Sequence, residues 1–366
     1  MTTTSSPDLV CRPEDLTAAW LAQVLDGTEL VATGGTVRDL AVEPVGTGQM
    51  GDTFRVSFGT GSEDTAPRSV IAKFASTDDR SRSTGLMTRA YEIEVGFYGQ
   101  VAGVIRIRMP RCYHGQCDND TGWFVLLLED LVGTSQGDQL GGCGAEVAAA
   151  CLEELARLHG PAWNRGTLAR VEWLQRGGAD ADGFLAGLVT SLWPGFVERY
   201  RDRLDPEHRA LGDRFIGVLE PWLADRPLGT TVTHGDFRLD NMLFPAGETR
   251  PYVVDWQTAA WGPAASDVAY FLGGSLTPDA RRRFGSTLLD GYHRALESEG
   301  VQGFDREQLD LEYQRLCFGG LVMTVGASML VKRTDRGDDM FVTSLARYAQ
   351  QALDLDAEAT LPSRRD

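Results

Sequence analysis

The segment that most constrains this chain is HGDFRLDN, residues 234–241, which lies between the short strand-like runs TTVT and MLF. A further apolar run follows and ends at Asp255. A single aspartate in such a place is usually a turn or cap residue. Here Asp236, Asn241 and Asp255 occur in one order, in a region that otherwise has helical periodicity. The sequence therefore predicts a strand-rich island, residues 230–256, within a mainly helical part of the chain.

The residue types on this island indicate a particular chemistry. Four residues separate Asp236 from Asn241, which is the spacing of a phosphotransferase catalytic loop. Such a loop needs a carboxylate that accepts or orients a hydroxyl proton, and a neutral oxygen ligand for magnesium close to it. Asp255, at the end of an apolar strand, suits a hard divalent cation that bridges phosphates.

A glycine-rich segment, GTGQMG, precedes a second strand-like run, DTFRVSF. Gly46, Gly48 and Gly51 form the pattern G-x-G-x-x-G, which in a dinucleotide-binding fold would open a helix. The alternation after it predicts a strand instead, so a hairpin that folds over phosphates fits better. Glycine lets the backbone approach anionic oxygens and offer them N–H groups. The alternative is an ordinary hairpin turn.

Lysine is rare in this chain, since only Lys73 and Lys332 are lysine among 35 basic residues. Lys73 lies in the strand-like run RSVIAKFA, where a bare buried charge would be costly. Its natural partner is a carboxylate on the next predicted helix, which carries both Glu92 and Glu94. We prefer Glu94 because of the apolar face beside it. The alternative is a surface lysine that extends its ammonium into water.

The coarse pattern predicts two parts. Up to residue 130 it is mostly strands, at 37–45, 52–58, 68–75 and 123–128, with an amphipathic helix over 14–26 and another helix from about 87 to 101 after the third strand. From Gly144 onward helical patterns dominate, notably over 179–224 and 277–353. We therefore expect an α+β fold with a small sheet-rich lobe, 1–130, and a larger, mainly helical lobe, 131–366.

Charge and composition exclude several classes. A net charge of −17 argues against a nucleic-acid binder and against docking on an anionic membrane. No apolar run reaches 18 residues, and the first residues do not have the pattern of a signal peptide. Six scattered cysteines are too few for a disulfide framework, so a cytoplasmic protein with reduced thiols is expected.

Other chemistry finds little support. Cys112, His114 and Cys117 could bind zinc, but no second close pair completes four ligands.

The segments GTGQMG, IAKF, HGDFRLDN and VVDW together resemble the aminoglycoside phosphotransferase and choline kinase-like superfamily, over roughly residues 40 to 330. The segments LLLEDL and LARLHGPAW look most like its ecdysteroid kinase-like branch, which phosphorylates hydroxyl groups of small organic molecules. The resemblance implies the two-lobed fold of protein kinases, with ATP and Mg²⁺ as cofactors. Asp267 follows Asp255 by only 12 positions, which leaves no room for the activation loop of a protein kinase.

The resemblance also implies roles for individual residues. Asp236 would be the catalytic base, and Asn241 and Asp255 the magnesium ligands. Lys73 would hold the α- and β-phosphates, positioned by Glu94, while the three glycines would cover the phosphates. The backbone from Glu129 to Leu131 would form the hinge that binds adenine. His234 would buttress the loop, and Asp267 would tie it to the following helix.

The expected activity is transfer of the γ-phosphoryl group of ATP to a hydroxyl of a small molecule, without an obligate protein partner. We expect a largely apolar or mildly amphipathic acceptor, because the segment 184–200 carries apolar residues at helical spacing: Phe184, Leu188, Trp193, Phe196 and Tyr200. These residues could equally be plain core. The alternatives are an aminoglycoside-type antibiotic kinase, whose polycationic acceptor needs a carboxylate-lined pocket, and a nucleotide-binding pseudokinase with a regulatory role.

Overall fold

A five-stranded antiparallel sheet dominates the N-terminal part of the chain. The computed structural model describes residues 7–46, 51–61, 68–175, 177–225 and 228–363. In chain order the strands of this sheet are β1 (Val37–Pro44), β2 (Gly51–Thr60), β3 (Arg68–Ala75), β4 (Cys112–Cys117) and β5 (Phe124–Glu129). Their spatial order is β1-β2-β3-β5-β4. The sequence analysis missed β4, because CYHGQC has no clear alternation of apolar and polar residues.

The alternation along β3 determines where Lys73 lies. Val70, Ala72 and Phe74 are fully buried and pack in the same cluster as helix α1 (Ala18–Val24). Side chains of a strand alternate between the two faces of a sheet. Lys73 therefore lies on the opposite face from α1, the face against which Tyr91 packs.

That opposite face is covered by two short helices, α2 (Asp79–Met87) and α3 (Ala90–Gly96), followed by a π-turn over Phe97–Val101. The prediction of a single helix over residues 87–101 is therefore wrong at its N-terminal end, where α2 ends at Met87 and α3 begins at Ala90. Arg89 adopts a left-handed conformation, with φ of 59°, and separates the two helices. Asp78 caps α2 by accepting a hydrogen bond from Ser81 N at 2.8 Å.

The remaining elements are mainly helical. The helices are α4 (Ala145–Ala162), α5 (Ala179–Tyr200), α6 (Pro206–Ile216), α7 (Leu219–Ala224), α8 (Ala264–Ser275), α9 (Pro278–Ser298), α10 (Arg306–Leu316), α11 (Gly319–Leu330) and α12 (Asp335–Asp354). The short strands are β6 (Thr134–Gln136), β7 (Thr230–Thr233), β8 (Met242–Pro245), β9 (Tyr252–Val253) and β10 (Ala260–Pro263).

The short strands form two small sheets, with the orders β10-β7 and β6-β8-β9. The predicted strand-rich island is thus present. The segment 234–241 connects β7 to β8, and its last three residues, Leu239–Asn241, form a 3₁₀ turn.

The chain divides into two compact units. The first holds the described residues up to Gly103, together with Met109–Gly133 and Asp255–Thr258. The second holds Val104–Arg108, Thr134–Val254 and the described residues from Ala259 onward. This division differs from a single boundary at residue 130 because Val104–Arg108 belong to the second unit and Asp255–Thr258 belong to the first. In the described part of the chain, no helix combines the length and apolar character needed to cross a bilayer.

Candidate active site

Lys73 lies between two carboxylates in the first unit. Its Nζ donates to Glu94 Oε1 at 2.6 Å and to Glu94 Oε2 at 2.8 Å. It also lies 3.1 Å from Asp255 Oδ1. Glu92, the other glutamate considered, forms an ion pair with Arg89 instead. Lys73 is therefore not a surface lysine, and its direct partner on α3 is Glu94.

The two carboxylates keep the Lys73 ammonium charged. Burial alone would lower the pKa of Lys73, but the negative charges of Asp255 and Glu94 outweigh burial and raise it. The Glu94 side chain is 2% exposed, whereas those of Lys73 and Asp255 are 18% and 28% exposed. The open side of this cluster is therefore the one formed by Lys73 and Asp255.

Asp255 is held in an unusual backbone conformation. Its φ is 69°, in the left-handed region that few residues other than glycine adopt. The next residue, Trp256, is fully buried and stacks on Phe97, with ring centroids 3.8 Å apart. Gln257 Nε2 donates to Asp255 Oδ2 at 3.1 Å. The residues that follow Asp255 therefore hold its carboxylate next to Lys73.

The loop 234–241 in the second unit is anchored by one buried carboxylate. Asp267, on the first turn of α8, accepts hydrogen bonds from His234 N at 2.7 Å and from Gly235 N at 2.9 Å. The His234 ring accepts from Asp236 N at 3.2 Å and donates to Val254 O at 3.1 Å. The loop backbone just before Asp236 is thus fixed on two sides.

His159, near the end of α4, completes this anchor. Its Nε2 lies 3.2 Å from Asp267 Oδ2, and its Nδ1 lies 2.7 Å from Tyr292 Oη. Because an ionised carboxylate can only accept hydrogen bonds, Nε2 is the donor. Burial would raise the pKa of Asp267, but the hydrogen bonds and charge of His159 and the His234 N–H lower it below the ordinary value.

We expect Asp267→Ala to reduce the free energy of unfolding at neutral pH by about 3–5 kcal/mol, because it leaves several buried donors without an acceptor. A carboxyl group whose pKa is lower in the folded state stabilises the protein above its unfolded-state pKa, near 4, and loses this effect as the pH falls. Chemical denaturation at several pH values should therefore show that the free energy of unfolding falls less steeply with decreasing pH in Asp267→Ala than in the wild type. The exposed Asp202→Ala is the control, and equal slopes in all three proteins would contradict the assignment.

Both carboxylate oxygens of Asp236 accept hydrogen bonds. Arg238 Nε and Asn241 Nδ2 each donate to Oδ2 at 3.0 Å, and Tyr270 Oη donates to Oδ1 at 2.7 Å. Arg238 also reaches Asp240 Oδ2 at 3.3 Å. The contacts of Asp236 with Arg238 and Tyr270 were not foreseen from the sequence. Arg238 lies within the motif itself, whereas Tyr270 is brought to Asp236 only by the tertiary fold.

Asn241 has the orientation that a magnesium ligand needs. Its Nδ2 donates to the backbone oxygen of Asp236 at 2.9 Å as well as to the carboxylate. The amide nitrogen is therefore committed to Asp236, and the side-chain oxygen is the atom that remains to bind a hard cation. Magnesium is commonly held by one or two such oxygen ligands together with substrate phosphates. The amide oxygen of Asn241 and the carboxylate of Asp255 are each a type of ligand that magnesium takes.

Two of the three predicted glycines can be placed. Gly46 has a φ of 76°, and a Cβ on Gly51 would lie 2.7 Å from Phe74 O. The left-handed backbone favours glycine at Gly46, and the close approach of Phe74 O requires it at Gly51. Gly48 lies outside the described residues, so the loop over the phosphates stays a prediction.

The predicted adenine-binding segment lies at the end of β5. Glu129 pairs with Val70 of β3, and its N–H donates to Arg111 O at 2.8 Å. Leu131 follows this strand and is partly buried. The nucleotide roles of Glu129 and Leu131 also stay predictions.

Some residues predicted to face an acceptor do not do so. Trp193, Phe196 and Tyr200 are buried; the Trp193 and Phe196 rings are stacked, and Phe196 and Tyr200 pack edge to face. Phe184, at the start of the same helix, is 65% exposed. The apolar spacing of α5 therefore reflects core packing for its C-terminal half.

Among the described residues, there is no group of three or more His, Cys, Asp or Glu side chains that could hold a metal ion together.

Comparison with known proteins gives a family. Residues 42–310 match the model of the phosphotransferase enzyme family, APH. No curated protein matches the chain.

Solved structures with the same fold are remote in sequence. A Ralstonia eutropha JMP134 protein, provisionally assigned as an aminoglycoside phosphotransferase, has 14% identity and a TM-score of 0.51, covering 94% of this chain and 98% of its own. The GDP and kanamycin complex of APH(2″)-IIIa has 13% identity and a TM-score of 0.50, covering 86% and 93%. At these identities the likeness establishes the fold alone. The predicted protein-kinase-like α+β fold is confirmed.

Proposed function

Because this chain belongs to the phosphotransferase enzyme family, we propose that it transfers the γ-phosphoryl group of ATP to a hydroxyl group of a small organic molecule. The observation that carries the proposal is the ion-pair cluster of Lys73, Glu94 and Asp255. These residues come from distant parts of the sequence, yet they place a charged ammonium beside a partly exposed carboxylate. Phosphoryl transfer depends chiefly on such placement of charge.

In this proposal Lys73 binds the α- and β-phosphate oxygens, and Glu94 fixes the direction of its ammonium. Asn241 and Asp255 hold Mg²⁺. Bound magnesium would supply positive charge that offsets the negative charge developing on the transferred phosphoryl group. Asp255 also accepts a hydrogen bond from Lys73, so this one carboxylate would bind both the Lys73 ammonium and Mg²⁺.

Asp236 acts on the acceptor. Its carboxylate, held by Asn241, Arg238 and Tyr270, accepts or orients the proton of the attacking hydroxyl. The loop that carries Asp236 is held in place, because Asp267 accepts hydrogen bonds from the backbone N–H groups of His234 and Gly235.

We further propose a neutral or mildly amphipathic acceptor, of the kind taken by the ecdysteroid kinase-like branch. The loop carboxylates supply the support. Arg238 bridges Asp236 and Asp240, and Arg336 Nη2 lies 3.3 Å from Asp240 Oδ1. A polycationic aminoglycoside would need unpaired, convergent carboxylates, whereas these two are already paired with arginines.

The test is a screen of acceptors with magnesium and ATP, read as ADP release and as a phosphate ester by mass spectrometry. One panel holds aminoglycosides, and the other holds sterols, hydroxy acids and aromatic alcohols. Product in the second panel alone supports both parts of the proposal. Product confined to aminoglycosides contradicts the acceptor class but not the reaction. No product in either panel, and no ADP release with water, contradicts the reaction itself.

Lys73→Arg is expected to lower kcat about 10- to 100-fold, although it keeps the positive charge, because a charge-assisted contact is lost. A planar guanidinium is larger than the ammonium and does not fit between Glu94 and Asp255. The matched control is Lys332→Arg, which changes the exposed second lysine. Steady-state assays that find both variants as active as the wild type would show that Lys73 is incidental.

A further inference from the structure

Tyr270 contacts the proposed catalytic carboxylate directly, although no sequence motif includes it. Its Oη donates to Asp236 Oδ1 at 2.7 Å. The other oxygen, Oδ2, accepts from Arg238 Nε and Asn241 Nδ2, both at 3.0 Å. Asp236 therefore binds three donors that come from the chain itself.

These contacts limit where an acceptor can bind Asp236. An ionised carboxylate offers about four lone-pair positions, two on each oxygen. Arg238 and Asn241 fill both positions on Oδ2, and Tyr270 fills one on Oδ1. As far as the described residues go, one position remains, on Oδ1, and a hydroxyl that donates to Asp236 must share this oxygen with Tyr270.

We propose that Tyr270 is a positioning residue, whose phenol fixes the rotation of the Asp236 carboxylate and leaves one lone pair of Oδ1 for the acceptor hydroxyl. The inference rests on the proposed function. Without the phenol, the carboxylate can turn about its Cβ–Cγ bond and present Oδ1 in directions that do not meet the acceptor. The hydroxyl of Tyr270 is therefore needed for the reaction but not for nucleotide binding.

The surroundings of Tyr270 suit this role. It lies on α8 three residues after Asp267, the anchor of the loop, so one rigid helix holds both the loop backbone and the Asp236 side chain. The ring of Tyr348 on α12 stacks on Tyr270, with centroids 5.4 Å apart and planes at 21°. Burial and the charge of Asp236 raise the pKa of Tyr270 well above its ordinary range, so the phenol stays a donor.

The test is Tyr270→Phe, which removes only the hydroxyl. We expect kcat for ADP release to fall about 10- to 100-fold, which corresponds to the loss of one hydrogen bond to a charged group. The KM for ATP should stay close to the wild-type value. The assay uses the best acceptor from the screen and, in parallel, water. Tyr313→Phe is the control, because it removes a buried hydroxyl that contacts Gln351 and not Asp236.

A second measurement does not depend on turnover. With 3-fluorotyrosine at position 270, the ¹⁹F resonance should shift when Asp236 is changed to asparagine, since the hydrogen-bond acceptor loses its charge. An unchanged resonance, or a Tyr270→Phe variant with the kcat of an active wild type, would overturn the inference while the proposed function stands. A wild type that releases no ADP would instead contradict the proposed function, and the positioning role with it.

Discussion

Changing Asp236 to asparagine is expected to remove nearly all phosphoryl transfer while ATP binds almost as before. Asparagine has nearly the same shape and can still accept from Tyr270, but it cannot take up the proton of the acceptor hydroxyl. General-base assistance is typically worth about 10²- to 10⁴-fold in rate. Transfer would be followed as ADP release and nucleotide affinity by calorimetry.

Asp118→Asn is the matched control for this change. Asp118 directly follows β4, is partly buried and accepts from Thr121 Oγ1 at 2.7 Å, so the same chemical change there should leave transfer intact. If Asp236→Asn turned over like the control, Asp236 would not be the base. If it lost ATP binding as well, the residue would serve the nucleotide rather than the acceptor.

The second large effect is expected at Asp255. Asp255→Ala removes a proposed magnesium ligand and one of the two carboxylates that bind Lys73. Since the metal contributes several kcal/mol of charge stabilisation, we expect kcat to fall at least about 1000-fold at the magnesium concentration that saturates the wild type. Titration with magnesium should restore part of the activity. Asn241→Ala should raise the magnesium requirement less, because an amide supplies only a dipole.

The control must allow for the backbone at this position. Asp39 in β1 also adopts a left-handed conformation, with φ of 53°, so Asp39→Ala carries the same backbone strain without touching Lys73. Activity should survive in Asp39→Ala. A magnesium dependence of Asp255→Ala that equals that of the wild type would remove Asp255 from the metal site.

Local patterns in the sequence predicted those parts of the site that depend on local geometry. Period-two alternation places Lys73 on the face of β3 that carries α3, and the apolar face of α3 distinguishes Glu94 from Glu92. The spacing of Asp236 and Asn241 lies within one loop, and their side chains are hydrogen-bonded. Each of these relations spans a single element or a pair of neighbouring ones.

The features that were missed depend on contacts between distant residues. Tyr270 contacts Asp236 only because α8 passes beside the loop, and no periodicity in the sequence indicates this contact. The break at Arg89 depends on the close approach of Gly85 and Tyr91, where an added Cβ would lie 2.4 Å from the ring. Burial of Trp193 on α5 depends in turn on which helices cover it. Apolar spacing alone cannot separate a core face from a binding face.

The pairing of Lys73 also affects how this protein can be labelled. The sequence has two side-chain amines, those of Lys73 and Lys332. Amine-directed reagents need an unprotonated nitrogen, and the two carboxylates beside Lys73 keep its nitrogen protonated. Reagents such as active esters will therefore modify the exposed Lys332 in preference to Lys73. A fluorophore or a surface tether can thus be attached at one lysine near the start of α12 without changing the proposed phosphate-binding ammonium.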